Sequence, residues 1–277
     1  MHHVLRAFFQ NARKPGGLSG RIMLWAMNCG HASLAKWGRS HVSPEPDARV
    51  LDIGCGGGAN LAQFLKLCPQ GSVCGIDFSA ESVATSLRKN AGAVAAGRCE
   101  VRQGDVSRLP YADASFDLVT AFETVYFWPD VSAAFAEVFR VLGPSGVFLI
   151  VNEESGDSRW CSIVDGMRTY TADALAGWLC AVGFVDVRSD GRGEGGALCL
   201  VARKGPDSVA SAAQGAWTQR MGQGGSLPES RGCLHGSLIG PSRFHAFRLM
   251  ARPRGGRSLR RFCMVFRAAG GLCRRVG

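Results

Sequence analysis

Three aspartates stand where short apolar runs end: Asp52 in Val50-Leu51-Asp52-Ile53, Asp77 in Gly75-Ile76-Asp77-Phe78 and Asp105 in Gln103-Gly104-Asp105-Val106. The first run breaks at once into Gly54-Cys55-Gly56-Gly57-Gly58-Ala59, four glycines in five positions. Without side chains, the backbone can take φ > 0 and a ligand can approach the main chain closely. Carboxylates accept strong hydrogen bonds from hydroxyls and hold positively charged amines. Bare backbone beside three acids is therefore binding chemistry.

Gly54, Gly56 and Ala59 satisfy the dinucleotide spacing G-x-G-x-x-G/A, so NAD and FAD must be weighed. Asp52 argues against both, because a carboxylate under the loop would repel a pyrophosphate. A ligand with an ammonium and no phosphate turns that acid into an asset, and S-adenosylmethionine is such a ligand, with a sulfonium besides. Asp77 is placed to accept from both ribose hydroxyls, which does not separate the two ligands. Phe78 can cover one adenine face. Asp105 can accept from the adenine amino group while the Val106 N–H reads a ring nitrogen. Each acid alone could equally be a loop residue or a helix cap; three at successive strand ends are spaced like one ligand.

The elements that must position these residues follow from the pattern around them. From Arg49 onward, strand and helix alternate, which predicts a parallel sheet. The expected strands are 49–53, 72–76, 100–103, 116–121 and 146–151, with helices at 60–67, 79–91 and 131–142. Asp130 is the expected N-cap of the third helix and Gly143-Pro144 its stop. A helix from Thr171 ends at Gly183. Strands 184–189 and 197–203 follow, joined by a loop over 190–196 too short for a crossover, so they must pair antiparallel. The fold class is α/β: a Rossmann-like doubly wound sheet, mostly parallel, with an antiparallel C-terminal hairpin strand and helices on both faces. Ahead of it, Lys14-Pro15-Gly16-Gly17 breaks a short amphipathic lead. Residues 18–37 read as helical, with a bend near Asn28-Cys29-Gly30-His31.

Charge divides the chain. Its net charge of +10 arises wholly after residue 204: residues 1–204 hold 20 Lys+Arg against 20 Asp+Glu, and residues 205–277 hold 12 Arg against Asp207 and Glu229. The main domain thus has no charge footprint for a polyanion. The tail is rich in Gly, Ser and Arg without a hydrophobic period, as expected of a disordered extension. A basic appendage that seeks RNA or a membrane surface is the functional alternative. The 11 cysteines form no CxxC or CxxxC pair, which fits free thiols in the cytoplasm and no metal centre. No apolar run reaches the ~18 residues of a membrane span. The expected organisation is a helical lead and acceptor-side cap over 1–48, a ligand-binding domain over 49–204, and the tail over 205–277.

Taken together, the stretches 50–58, 75–78, 104–106 and 116–121 resemble the successive motifs of class I S-adenosylmethionine-dependent methyltransferases, in the broad branch that includes small-molecule and quinone-type enzymes. Arg140-Val141-Leu142-Gly143-Pro144-Ser145-Gly146 is similar to that branch's R-x-L-K-P-G-G turn, with Gly143 and Ser145 replacing Lys and Gly. The resemblance covers roughly residues 18–204. It implies that Asp52 and the backbone of Gly54, Cys55 and Gly56 take the methionine end, Asp77 the ribose, and Asp105 with Val106 the adenine. Phe78 and Phe122 complete the implied cofactor set; the product is S-adenosylhomocysteine, and no metal is needed.

The methyl acceptor is sought outside these motifs. The stretch Phe122-Glu123-Thr124-Val125-Tyr126-Phe127-Trp128-Pro129 packs four aromatics beside a carboxylate. It can wall an apolar acceptor, with Glu123 or Tyr126 near the methyl group, or simply pack the fourth strand's end. His31 and Trp37 are the candidates from the N-terminal helices, and Trp128 joins the aromatic wall. Because aligned displacement needs little chemical assistance, no catalytic base is assigned. The expected function is methyl transfer to a small molecule, with nucleic acid unlikely to engage the domain. The alternatives are an RNA or protein methyltransferase docked by its basic tail, and a protein that binds S-adenosylmethionine without turnover.

Overall fold

The computed structural model describes Gly16, Gly17, Gly20, Leu24 and residues 31–153, 166–192 and 197–206. The expectations for the lead before residue 31 and for the tail from 207 lie outside the described residues. Helix α1 (Ala32–Arg39) is followed by β1 (Arg49–Ile53), α2 (Ala59–Leu67), β2 (Ser72–Asp77), α3 (Ala80–Lys89) and the short α4 (Ala91–Ala95). Then come β3 (Cys99–Gln103), β4 (Phe116–Phe122), a 3-10 turn (Val125–Phe127), α5 (Val131–Val141), β5 (Leu142–Glu153), α6 (Ala172–Val182), β6 (Val185–Arg192) and β7 (Ala197–Arg203).

The seven strands form one sheet in the order β3-β2-β1-β4-β5-β7-β6. Strands β1 to β5 pair in parallel, and β7 runs antiparallel between β5 and β6. A central strand of such a sheet is covered on both faces and reads as continuously apolar; accordingly Val50, Leu51 and Ile53 of β1 are all buried. One apolar layer gathers Leu51, Ile53, Phe135, Phe148, Leu175 and Leu179 on the α5–α6 side, and another gathers Val50, Leu61, Phe64, Leu149 and Val151 on the opposite side. Sheet order reverses direction between β1 and β4, the switch point at which such sheets open a ligand crevice beyond their strand ends.

Asp130 caps its helix as expected, and Ser79 and Thr171, expected as first helical residues, are N-caps as well. The side chains of Ser79, Asp130 and Thr171 accept N–H groups from Ser82, Ala133 and Ala174, and Gly183 ends α6 at φ 113°. Two expectations need correction. The helix expected over 79–91 breaks at Asn90, whose amide donates to Ser86 O (3.0 Å) and Gly58 O (3.2 Å) and so ties the break to the glycine loop. Gly143-Pro144 does not lie between helix and strand, because α5 ends at Val141 and β5 already starts at Leu142. Leu142 pairs with Phe116 before a register shift, and Lys204 Nζ donates to Phe139 O (2.8 Å) and Leu142 O (2.7 Å), closing the helix end from outside.

Candidate functional site

Pairing levels the strand ends: Ile53 stands beside Ile76 of β2 and Ala121 of β4, and Asp77 beside Gln103 of β3. Over those ends lies a cleft of about 270 Å³ whose wall includes Gly54, Gly56, Asp77, Phe78, Asp105 and Val106. Its other side is made by Phe122, Glu123, Phe127 and Trp128.

The glycine loop is locked mainly by its own backbone. Gly54 N–H (2.8 Å) and Cys55 N–H (3.2 Å) both donate to Ile76 O. Gly54, at φ 72°, has Thr124 against it: a Cβ there would fall 2.3 Å from Thr124 Oγ1. Gly58, at the same φ, is pressed by Asn90 and Ser86. These are positions where a side chain would have to displace its neighbours.

Asp77 plays two parts in this geometry. Its Oδ2 accepts from Gly56 N–H (2.8 Å) and its Oδ1 from Ser79 N–H (2.8 Å). Burial raises its pKa, while the N–H groups of Ser79 and Gly56 and the Ser82 hydroxyl pull it back. Each carboxylate oxygen keeps acceptor capacity beyond one bond, so the side chain can shape the loop and face the cleft together. Phe78 beside it is 48% exposed, a large apolar ring left at a cleft wall. Asp105 Oδ1 accepts from Ser107 N–H (2.8 Å) and the Ser107 hydroxyl, a local turn that stands the acid at the end of β3. The acids at the ends of β2 and β3 match the hydroxyl and amino edges of a nucleoside, and the ring of Phe78 matches its flat face.

Asp52 is placed differently from the expected direct contact. It is 2% exposed and absent from the cleft wall, and Thr120 Oγ1 donates to its Oδ1 at 2.6 Å. Burial lifts its pKa to about 7; the Thr120 bond lowers it, Asp77 adds to the rise, and Arg39 lowers it. Arg39 itself donates to Asn60 Oδ1 (2.5 Å) at the first turn of α2. Asp52 thus acts from beneath the loop as a buried acid with a cationic neighbour. Cys55 also turns away: its Sγ lies 3.7 Å from Ser86 Oγ inside the core, so only its backbone belongs to the loop.

The acceptor-side expectations divide. Glu123 and Trp128 reach the cleft wall, Trp128 while only 5% exposed and edge-on to Phe135. Tyr126 does not; it is buried, and its hydroxyl donates to Glu123 Oε1 at 2.9 Å. His31 stands behind the same carboxylate, with Nδ1 3.6 Å from Glu123 Oε2. Trp37 is absent from the cleft wall; its ring is set edge-on to His41 at 4.8 Å and packs against the apolar layer of Val50, Phe64 and Val151. The sequence reading also passed over Thr124, Ser82 and Leu24, all on the cleft wall. Ser82 carried a signal in its place one turn into the helix after Asp77; Thr124 lay within the stretch read as an acceptor wall and Leu24 within the expected acceptor-side cap, though neither was singled out.

Residues 51–150 match the family model described as a methyltransferase domain. The chain is 35% identical over 98 residues to a demethylmenaquinone methyltransferase of Lactobacillus johnsonii, covering 35% of this chain and 40% of that one. It is 30% identical over 117 residues to cycloartenol-C-24-methyltransferase 1 of Oryza sativa, covering 42% of this chain and 32% of that one. The matched part therefore spans less than half the length of these relatives. In structure it is similar to a SAM-dependent methyltransferase from Aquifex aeolicus, with TM-score 0.53 and 20% identity, over 64% of this chain and 92% of that one. It is also similar to phosphoethanolamine N-methyltransferase 2 of Haemonchus contortus in complex with S-adenosyl-L-methionine, with TM-score 0.57 and 15% identity, over 66% and 56% of the two chains.

Proposed function

We propose that this chain, whose residues 51–150 match a methyltransferase domain, is a class I S-adenosylmethionine-dependent methyltransferase that transfers a methyl group to a small-molecule acceptor in the cytoplasm. The observation that carries the reading is the convergence of Gly54, Gly56, Asp77, Phe78, Asp105 and Val106 on one cleft at the sheet's switch point. In this reading Asp77 accepts from the ribose hydroxyls, Phe78 packs on the adenine, and Asp105 with Val106 reads its edge. The glycine loop takes the methionine end, with Asp52 supplying negative charge from below. When bound, S-adenosylmethionine supplies a methyl carbon on a positive sulfur that leaves as a neutral thioether.

The chain's own contribution is alignment, since holding two reactants in line supplies much of such an acceleration. The apolar wall of Phe122, Phe127 and Trp128 suits a small, largely apolar acceptor. The free thiols of Cys55, Cys68, Cys74, Cys99 and Cys199 suit a reducing compartment. Among the described residues no helix is long and apolar enough to cross a membrane.

Calorimetry tests the cofactor half of the proposal: S-adenosylhomocysteine is expected to bind in the micromolar range and NAD not to bind. Binding of NAD alone would end the reading. Release of S-adenosylhomocysteine over a metabolite panel, with tRNA included, tests the acceptor class; turnover on tRNA alone would point to the nucleic-acid alternative.

A further inference from the structure

Strand β6 ends the sheet, with β7 on one side of it and no described strand on the other. All of its residues except Val187 are exposed. The direction of its backbone groups follows from the register. Lys204 N–H donates to Gly146 O of β5 (2.8 Å), so by alternation the even-numbered residues of β7 bond β5 and the odd-numbered ones bond β6. Their partners on β6 are Arg188, Asp190 and Arg192, which leaves Ser189 and Gly191 with N–H and C=O groups turned outward. The Gly191 N–H agrees with this, being met by Asp190 Oδ1 (2.8 Å). Such a row of outward backbone groups is a template for another strand.

The same strand carries Asp186, Arg188, Asp190 and Arg192, alternating in sign at every second position and hence on one face. A bulge between Val185 and Arg188 bends the start of the strand, with Asp186 at φ 50°. Arg188 Nε nevertheless donates to Asp186 Oδ1 at 2.7 Å and holds the two on one side. His41 Nε2 stands 2.9 Å from Asp190 Oδ2 and braces it. Arg192 has no hydrogen-bond or ion-pair partner among the described residues. Charges on an edge ordinarily keep other strands away, because most pairings set like against like. A two-fold axis centred on Ser189 does the reverse. It sets Arg188 against the second copy's Asp190 and Arg192 against its Asp186. Centring the axis on Arg188 or on Asp190 opposes like charges.

We propose that β6 is a docking edge for a second copy of this chain, the two β6 strands pairing antiparallel about a two-fold axis at Ser189. The occupant is a second copy because this order of charges, read backwards, is its own complement. The axis brings the Ser189 N–H of each copy to the Ser189 C=O of the other. Ser189 and Gly191 are small, so no bulky side chain stands in the way on the opposite face. A contact of one patch with itself closes at two copies. The inference is independent of the methyl-transfer reading.

Sedimentation velocity of the full chain tests the contact. The dimer fraction is expected to rise between about 1 µM and about 100 µM protein and to fall as salt is raised. Arg188→Asp sets acid against acid and should leave a monomer over that range. Arg188→Asp combined with Asp190→Arg exchanges the signs and should restore the dimer. Ser189→Pro deletes an N–H that β7 does not use; it should abolish the dimer while thermal melting stays close to that of the wild type. A wild-type chain that stays monomeric at about 100 µM, a dimer that survives Arg188→Asp, or a folded exchange variant that stays monomeric each overturns the proposal. Slow amide exchange at Ser189 in a monomeric wild type would overturn it as well, assigning the edge to residues 207–277 instead.

Discussion

Two aspartates that look alike in the sequence behave differently once buried. Asp52 carries a pKa lifted to about 7, against about 3.9 for a free aspartate. The folded state therefore keeps a proton that the unfolded chain releases, so Asp52's contribution to stability is complete below about pH 4 and lost as pH climbs through about 7. The urea midpoint of the wild-type protein relative to Asp52→Asn should accordingly fall between pH 5 and pH 8. A cationic ligand over the loop favours the ionised form, so S-adenosylmethionine binding at pH 7 should release a proton. Calorimetric enthalpies should then depend on the buffer's ionisation enthalpy, and Asp52→Asn should remove that dependence. Asp77 also closes Gly56 and Ser79 N–H bonds, so its substitutions separate two roles. Asp77→Asn, which keeps one acceptor oxygen but sets an NH2 against the other N–H, should weaken S-adenosylhomocysteine binding at least 10-fold at a smaller loss of stability than Asp77→Ala. Asp77→Ala should weaken binding further and cost about 1–3 kcal/mol of stability by leaving loop donors unmet.

At the scale of elements, the end of α5 depends on a residue far along the chain. Lys204 is 6% exposed, its ammonium bonded to two carbonyls at the C-terminus of α5 and 4.6 Å from the Phe139 ring centre. A buried cation at a helix C-terminus is worth up to ~2 kcal/mol. Lys204→Met should therefore lower stability by about 2 kcal/mol in denaturant titration while leaving cofactor affinity unchanged. Arg140, the penultimate residue of α5, makes a different tie. It donates to Tyr111 O, Leu109 O, Asp113 and Glu137, fixing the chain between β3 and β4. Its place in the R-x-L turn is structural here, and the departures at Gly143 and Ser145 leave it intact.

At the scale of the molecule, the bonds that complete the sheet run slightly past residue 204. Lys204 N–H donates to Gly146 O at 2.8 Å, and Gly205 O accepts from Ser145 N–H at 3.4 Å. We propose that the binding domain closes at about residue 206, and that a chain ending after Pro206 folds and binds S-adenosylhomocysteine as the full chain does. Aggregation of that shortened chain, or a 10-fold loss of affinity, would show that residues 207–277 belong to the binding unit.

The sequence by itself determined the layered fold, because its evidence was periodic and local. Apolar strands such as Arg49–Ile53 and Ala197–Arg203, the caps Asp130 and Thr171, and Gly183 each act over a few residues. The same locality made the nucleoside side of the cleft legible, since Asp77, Phe78, Asp105 and Val106 all stand at the ends of strands whose order brings them together. Only the tertiary structure decided which side chains face the cleft and which lie behind it. Asp52 sinks against Thr120, 68 positions away, where burial lifts its pKa to about 7. Tyr126 and Trp128 share one aromatic loop, yet one braces Glu123 and the other walls the cleft. His31 meets Glu123 across 92 positions. Such encounters depend on distances between elements, and residue types along a chain carry no measure of them.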